Sequence, residues 1–241
     1  VFGLAVLIAL VVIVVFAPML FPLDPYTSDY FEFGMAPSAK HPLGTDAVGR
    51  DLLARLIYGG RTSLFVGLAS TLISLLIGVP LGLTAGYYRG WWEALVMRIA
   101  DIFMSFPAMV LILVLVAVVG PSIWSVTVVI GVLGWTQFAR LVFANVLSVR
   151  EKEYVESAYA IGTKDFVVLT KYILPNSIAP ILISMTFRTA QAILIESSLS
   201  FLGMGVQPPM ASWGNLMNEA LSITVLSQKP WIWAPPGIAL V

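Results

Sequence analysis

Few residues in this 241-residue chain are equipped for chemistry, and their spacing narrows what that chemistry could be. There is one histidine, His41, and no cysteine. Zinc sites draw several histidine and cysteine ligands together, and disulfides need cysteine pairs, so neither a metal centre nor a disulfide framework is expected. His41 precedes Pro42 in a polar stretch with no nucleophile-elbow sequence nearby, and it reads as a loop residue. No phosphate-cradling glycine loop followed by Lys-Ser/Thr occurs, nor a dinucleotide-binding fingerprint, so an enzyme reading has little support. Four charges stand out because of the apolar runs around them. Arg98 and Asp101 are three residues apart on one helical face, where they can pair with each other or reach toward the interface. Arg188 lies near the middle of another run, with Glu196 about two helical turns further on. Eight residues carry a helix about 80° past two full turns, so these two need not touch. Ionisable groups inside a membrane are costly and face protein or water. Arg188 therefore reads as a pathway group or a subunit-interface ion pair, or else as part of an ion pair within the bundle.

The elements that hold these residues are membrane spans. The chain is 59% hydrophobic and only 11% charged, with a mean hydropathy of +0.94. Soluble domains carry about 25% charged residues, so a water-soluble core of this size is excluded. Acidic and basic residues balance at 13 each, which leaves no basic footprint for nucleic acid. A helix needs about 20 apolar residues to cross about 30 Å of hydrocarbon. That rule places span 1 at 1–17, an extracytoplasmic loop at 18–62, and spans 2 to 4 within 63–147. A cytoplasmic segment follows at 148–175, span 5 at 176–198, and a Gly/Pro/Trp-rich extracytoplasmic loop at 199–234. Residues 235–241 are expected to start a sixth span that continues beyond the sequence. The predicted class is thus an all-α, polytopic integral membrane bundle forming one domain, with five full spans and a truncated sixth. Arg89, Arg98, Arg140, Arg150, Lys152, Lys164 and Lys171 fall on one side of this topology, and Lys40, Arg50, Arg55, Arg61 and Lys229 on the other. The modest excess, with the long first loop counting for less than the short ones, assigns the first side to the cytoplasm.

Within the second span, Gly78, Gly82 and Gly86 recur every four residues with Pro80 among them. Glycines at this spacing line one face and admit a neighbouring helix closely, while the proline favours a kink. The 148–175 segment is the most informative. Glu151 to Ala160 favours helix, and Gly162 suits the left-handed position that ends one. Thr163 is placed to cap a second helix, with Asp165 in its first turn and Pro175 permitting a turn into span 5. Two short helices at an angle are expected, the first carrying the small residues Ala158 and Ala160 that could seat in a partner's groove. From the residues alone the segment is either a docking element or a surface loop.

At these residues the chain resembles the inner-membrane permeases of binding-protein-dependent ABC importers. Their cytoplasmic loop reads Glu-Ala-Ala, three residues, Gly, nine residues, Ile, one residue, Leu-Pro. Here Glu156-Ser157-Ala158 precedes Gly162, and Leu174-Pro175 falls at the matching distance. Ser157 replaces the middle alanine, and Tyr172 takes the isoleucine position with Ile173 beside it. Leu43-Gly44-Thr45-Asp46, Gly49-Arg50-Asp51, Gly60-Arg61-Thr62-Ser63-Leu64 and Ala85-Gly86-Tyr87 are similar to the dipeptide/oligopeptide/nickel branch in particular. So are Met97-Arg98 with Asp101, Phe201-Leu202-Gly203-Met204-Gly205, Gln207-Pro208-Pro209 and Trp213-Gly214.

The resemblance implies a type I importer permease fold with six spans. It implies a second homologous permease, two ATPase subunits and an extracytoplasmic binding protein that delivers a di- or oligopeptide. Glu156, Ser157, Ala158, Gly162, Leu174 and Pro175 would form the ATPase-coupling loop. ATP and Mg would sit on the partner subunits, leaving this chain without cofactor, metal or catalysis, in a prokaryotic cell membrane. A nickel chelate or glutathione is the alternative cargo within the branch, and an ATPase-independent channel or a membrane scaffold is the rival class.

Overall fold

Residues 11–14, 16 and 24–241 are described here from a computed structural model. Most of the expected first span therefore lies outside the described residues. The described chain is helical throughout, apart from loops and one isolated antiparallel bridge between Thr45 and Asp51.

The first long helix, α1 (Leu52–Tyr88), begins at Asp51, whose Oδ1 accepts the Ala54 backbone N–H at 2.7 Å as an N-cap should. Its 37 residues reach about 55 Å, well beyond one hydrocarbon core. Pro80 lies inside it, and Thr84 Oγ1 donates to the Pro80 carbonyl at 2.8 Å. Helix α2 (Gly90–Ser105) and α3 (Ala108–Val119) follow, then α4 (Ile123–Leu133) and α5 (Trp135–Arg150), which are separated only by a turn at Gly134.

One of the three spans expected within 63–147 is not a single straight helix. α2 and α3 meet at 87°. Phe106 is extended at φ −93°, ψ 144°, because the ring of Pro107 disfavours a helical conformation in the residue before it.

The 148–175 segment contains α6 (Glu153–Ala160) and the start of α7 (Asp165–Phe201). Two expectations are corrected here. Lys164, not Thr163, occupies the N-cap position of α7, and it makes no side-chain cap bond. Pro175 does not end a helix in a turn either, since α7 is continuous into the fifth apolar run. The stretch Val168–Ile173 is π-helical, and Pro175 stands second in the α-helical part that follows. A wider π turn relieves the clash and the missing N–H that make proline a helix breaker. Beyond α7 come α8 (Trp213–Asn218), α9 (Ile223–Gln228) and α10 (Pro230–Leu240), the last starting five residues before the expected position with Pro230 in its first turn.

Among the described residues, three helices are long and apolar enough to cross a membrane: Leu52–Tyr88, Ile123–Arg150 and Asp165–Phe201. Counting the bent α2–α3 pair as a broken span makes four. The chain divides into two compact units, and the cuts fall inside α1, α3, α4 and α7. One comprises Val1–Val66, Val116–Val126 and Ile193–Val241. Its core includes Leu52, Leu216 and Ile232, with Leu43 and Trp231 against them. The other comprises Gly67–Leu115 and Thr127–Ala192, and its core runs along α1, α5 and the 155–181 region.

Candidate functional site

The 148–175 segment is held on its own chain by one face and left bare on another. Val155 and Ala158 are buried in a cluster with Tyr87, Val146, Val149, Val168, Leu169 and Ile173. Ala158 thus faces inward. Its small side chain lets α6 lie close to the core of this chain, so it does not belong to a partner-facing surface. The outward face presents Glu156 and Ser157, with Tyr154, Tyr159 and Ile161 beside them. Ile161 is 79% exposed and Phe166 74%, high values for apolar side chains beside a charged face.

Gly162 fixes where α6 stops. It sits at φ 75°, its N–H donates to Tyr159 O at 2.9 Å, and Thr163 N–H donates to Ala158 O at 3.0 Å. These two bonds form a Schellman ending. Leu174 packs against the buried cluster together with Tyr172, while Pro175 is exposed.

Three further contacts, all through Tyr87, brace this element. Tyr87 Oη donates to Asp165 Oδ1 at 2.8 Å, its ring stacks on Tyr159 with centroids 6.1 Å apart, and Arg150 Nη1 donates to Tyr87 O at 3.2 Å. The end of α1 is thereby fastened to both helices of the segment. The sequence singles out Ala85-Gly86-Tyr87 only as a resemblance; nothing in its spacing pairs Tyr87 with a residue 78 positions away.

The glycine stripe is a packing seam. A Cβ on Gly78 would strike the Trp135 carbonyl and lie 2.7 Å from Phe138 Cβ; one on Gly82 would strike the Ala139 carbonyl; one on Gly86 would lie 2.8 Å from Val146 Cβ. All three close the gap between α1 and α5.

The intramembrane charges sort differently from their spacing. Asp101 pairs with Arg140 on α5, not with Arg98, which is exposed. The i, i+3 offset permits an Arg98–Asp101 contact, but a guanidinium from the facing helix takes the carboxylate. Arg188 and Glu196 each have their own partners. Glu196, fully buried, accepts hydrogen bonds from Ser63 Oγ at 2.8 Å and Ser200 Oγ at 2.6 Å. Arg188 is buried, and its Nη2 donates to Ile130 O at 3.0 Å beside the Gly134 turn.

The loop before α1 is a knot of charge. Asp46 is fully buried and accepts from Arg50 Nε at 2.7 Å and Arg55 Nη1 at 2.9 Å, as well as from the backbone of Val48 and Arg50. This accounts for the Gly-Thr-Asp and Gly-Arg-Asp motifs as one folded unit. His41 stands between two carboxylates, Nδ1 at 2.7 Å from Asp51 and Nε2 at 2.8 Å from Glu32. Only an imidazolium donates from both nitrogens. The bond to Asp51 chiefly, with Glu32 adding to it, raises its pKa above the ordinary 6.5, while partial burial opposes the shift. A raised folded value means stabilisation that is full below pH 6.5 and lost as pH climbs through the raised value. The unfolding temperature of the purified protein should therefore exceed that of His41→Gln most at low pH, and the gap should shrink in alkaline buffer. A gap that stays constant with pH would show that the imidazolium is not what holds the loop.

Helices of this length and apolarity, with a short helix braced on one face and bare on the other between the last two long ones, define a polytopic membrane protein. The model for binding-protein-dependent transport system inner membrane components matches residues 78–241. A Brucella suis protein named as a peptide permease is 42% identical over the whole chain and 80% of its own length. The glutathione transport system permease GsiD of Pectobacterium atrosepticum is 39% identical over 99% of the chain and 78% of its own. The dipeptide transport system permease DppC of Bacillus subtilis is 40% identical over 95% of the chain and 71% of its own. A solved chain of the MetNI methionine ABC transporter in an inward-facing conformation shares the fold, with TM-score 0.66 over 78% of this chain and 89% of that one at 17% identity. The chain belongs to the family of binding-protein-dependent transport system inner membrane components.

Proposed function

We propose that this chain is one permease subunit of an ATP-driven importer of small peptides. Paired with a second homologous permease, it forms the pathway for a di- or oligopeptide handed over by an extracytoplasmic binding protein. The observation that carries the reading is α6, anchored through Val155 and Ala158 and bare along Glu156, Ser157 and Ile161. A helix seated rigidly on its own bundle can pass a partner's rotation into α1, α5 and α7, which a loose loop could not do. Two ATPase subunits, carrying the ATP and Mg, would grip this face and its counterpart on the second permease. This chain would contribute no catalytic group. The topology that fits is a single domain of five spans and the start of a sixth, with α6 cytoplasmic and the 24–51 loop outside. The names of the Brucella and Bacillus relatives support peptides as the cargo. The GsiD relative favours glutathione as a second reading, itself a tripeptide of unusual linkage.

The absence of cysteine gives a clean test. Ile161→Cys, in inside-out vesicles, should react with a membrane-impermeant maleimide when the ATPase subunits are stripped, and should be shielded when they are restored. Phe31→Cys, at 96% exposure, should react only from the opposite side. Equal labelling of Ile161→Cys with and without the ATPase subunits would remove the docking role.

A further inference from the structure

Arg188 is 7% exposed and lies along a cavity of about 250 Å³ between α5 and α7. Gln137, Ser184 and Gln191 line the same cavity, along with the apolar faces of Leu141 and Phe187. One guanidinium nitrogen is committed to the Ile130 carbonyl, yet the buried Nε meets no acceptor. No carboxylate among the described residues forms an ion pair with Arg188. A buried cation without a carboxylate partner is costly, and its natural complement is an anion.

The two glutamines point the same way. Gln137 and Gln191 are exposed on helices that are otherwise apolar enough to span a membrane. Amides on a lipid-facing surface are disfavoured, so this face meets water or protein. Close packing also fixes Arg188 in place, since a Cβ at Gly134 would collide with its Nη2 and with Ser74 Oγ.

We propose that this cavity receives the terminal carboxylate of a peptide as it passes through the membrane, a proposal that rests on the peptide-importer reading above. The volume is below the roughly 300–1,000 Å³ of pockets that enclose a whole drug-sized ligand, so it fits a chain end. One unneutralised guanidinium matches the single negative charge there, the amides of Gln137 and Gln191 supply further donors, and Leu141 and Phe187 offer an apolar wall to the last side chain.

The test compares uptake of labelled trialanine with that of its C-terminal amide. Vesicles would hold the whole complex, with binding protein saturated by each peptide. Arg188→Met removes the charge but also the bond to Ile130, so Gln191→Glu serves as the second variant, leaving that bond intact and placing a competing carboxylate beside Arg188. Both should lower the acid-to-amide uptake ratio about tenfold or more, and Arg188→Lys should restore part of it. An unchanged ratio in Gln191→Glu, with uptake retained, overturns the site and leaves the importer reading standing. Loss of the second permease from the Gln191→Glu complex overturns it too, marking the face as a subunit contact. If the wild-type complex moves neither peptide with ATP, the proposal falls along with the importer reading.

Discussion

Gly162→Pro is expected to lower ATP-driven uptake at least about tenfold while the chain still reaches the membrane and assembles. Gly162 sits at φ 75°, whereas proline is fixed near −65°. Proline also lacks the N–H that Gly162 gives to Tyr159. The end of α6 must therefore unwind or swing, taking the exposed Ile161 with it. No atom outside the neighbouring residues lies within 4 Å of where a Cβ would stand, so the disturbance stays at the end of α6 and the bundle has no reason to unfold. Gly162→Asn, which tolerates the left-handed region, should behave nearly as wild type. Glu156→Lys probes the same face without touching the backbone. Its side chain is exposed, so stability should hold while uptake and the coupling of ATP hydrolysis to transport fall. Normal uptake by both Gly162→Pro and Glu156→Lys, at normal expression, would contradict the coupling role proposed for α6.

The second large effect is structural. Gly82→Val should empty the membrane of folded protein, because its Cβ would strike the Ala139 carbonyl and lie 3.0 Å from Val142 Cβ. Backbone cannot turn aside as a side chain can, so α1 and α5 must separate along their seam. Overpacking costs about 1–3 kcal/mol even where side chains can adjust, and here they cannot. Gly237→Ala makes the control, since its Cβ would find ordinary contacts of 3.6 and 3.8 Å with Met217. The check is the yield of monodisperse protein on size exclusion after detergent extraction. A wild-type yield from Gly82→Val would mean that the two helices do not meet at Gly82.

These two predictions rest on features legible in the sequence, and the reason is local. A glycine every fourth residue has to line one helix face, and a glycine after a helix-favouring run has to end it, whatever the rest of the chain does. Features set by distant segments were not legible. The direction of Ala158 depends on where Val168 and Ile173 lie, and its small size fits a partner's groove as well as it fits this chain's core. Asp101 had a neighbour at the right offset in Arg98, but Arg140, 39 residues away, reaches it instead. Tyr87 and Asp165 meet for the same kind of reason.

Prolines act in opposite ways in this chain. Pro107 breaks its run because the residue before it takes an extended conformation, while Pro175 is absorbed because a π-helical stretch widens the turn ahead of it. Local sequence gives no rule that separates the two cases. From the sequence His41 reads as an ordinary loop residue, and its place between Glu32 and Asp51 emerges only when the 24–51 loop folds back on the start of α1.

The most direct test of the account is uptake by sealed vesicles holding this chain, the second permease, both ATPase subunits and the binding protein. Labelled dipeptide, a longer peptide, glutathione and a nickel chelate would each be offered with and without ATP. The account predicts accumulation of a peptide that requires both ATP and the binding protein. Uptake that proceeds equally without ATP, or ATP hydrolysis with no accumulation of any peptide, would contradict it.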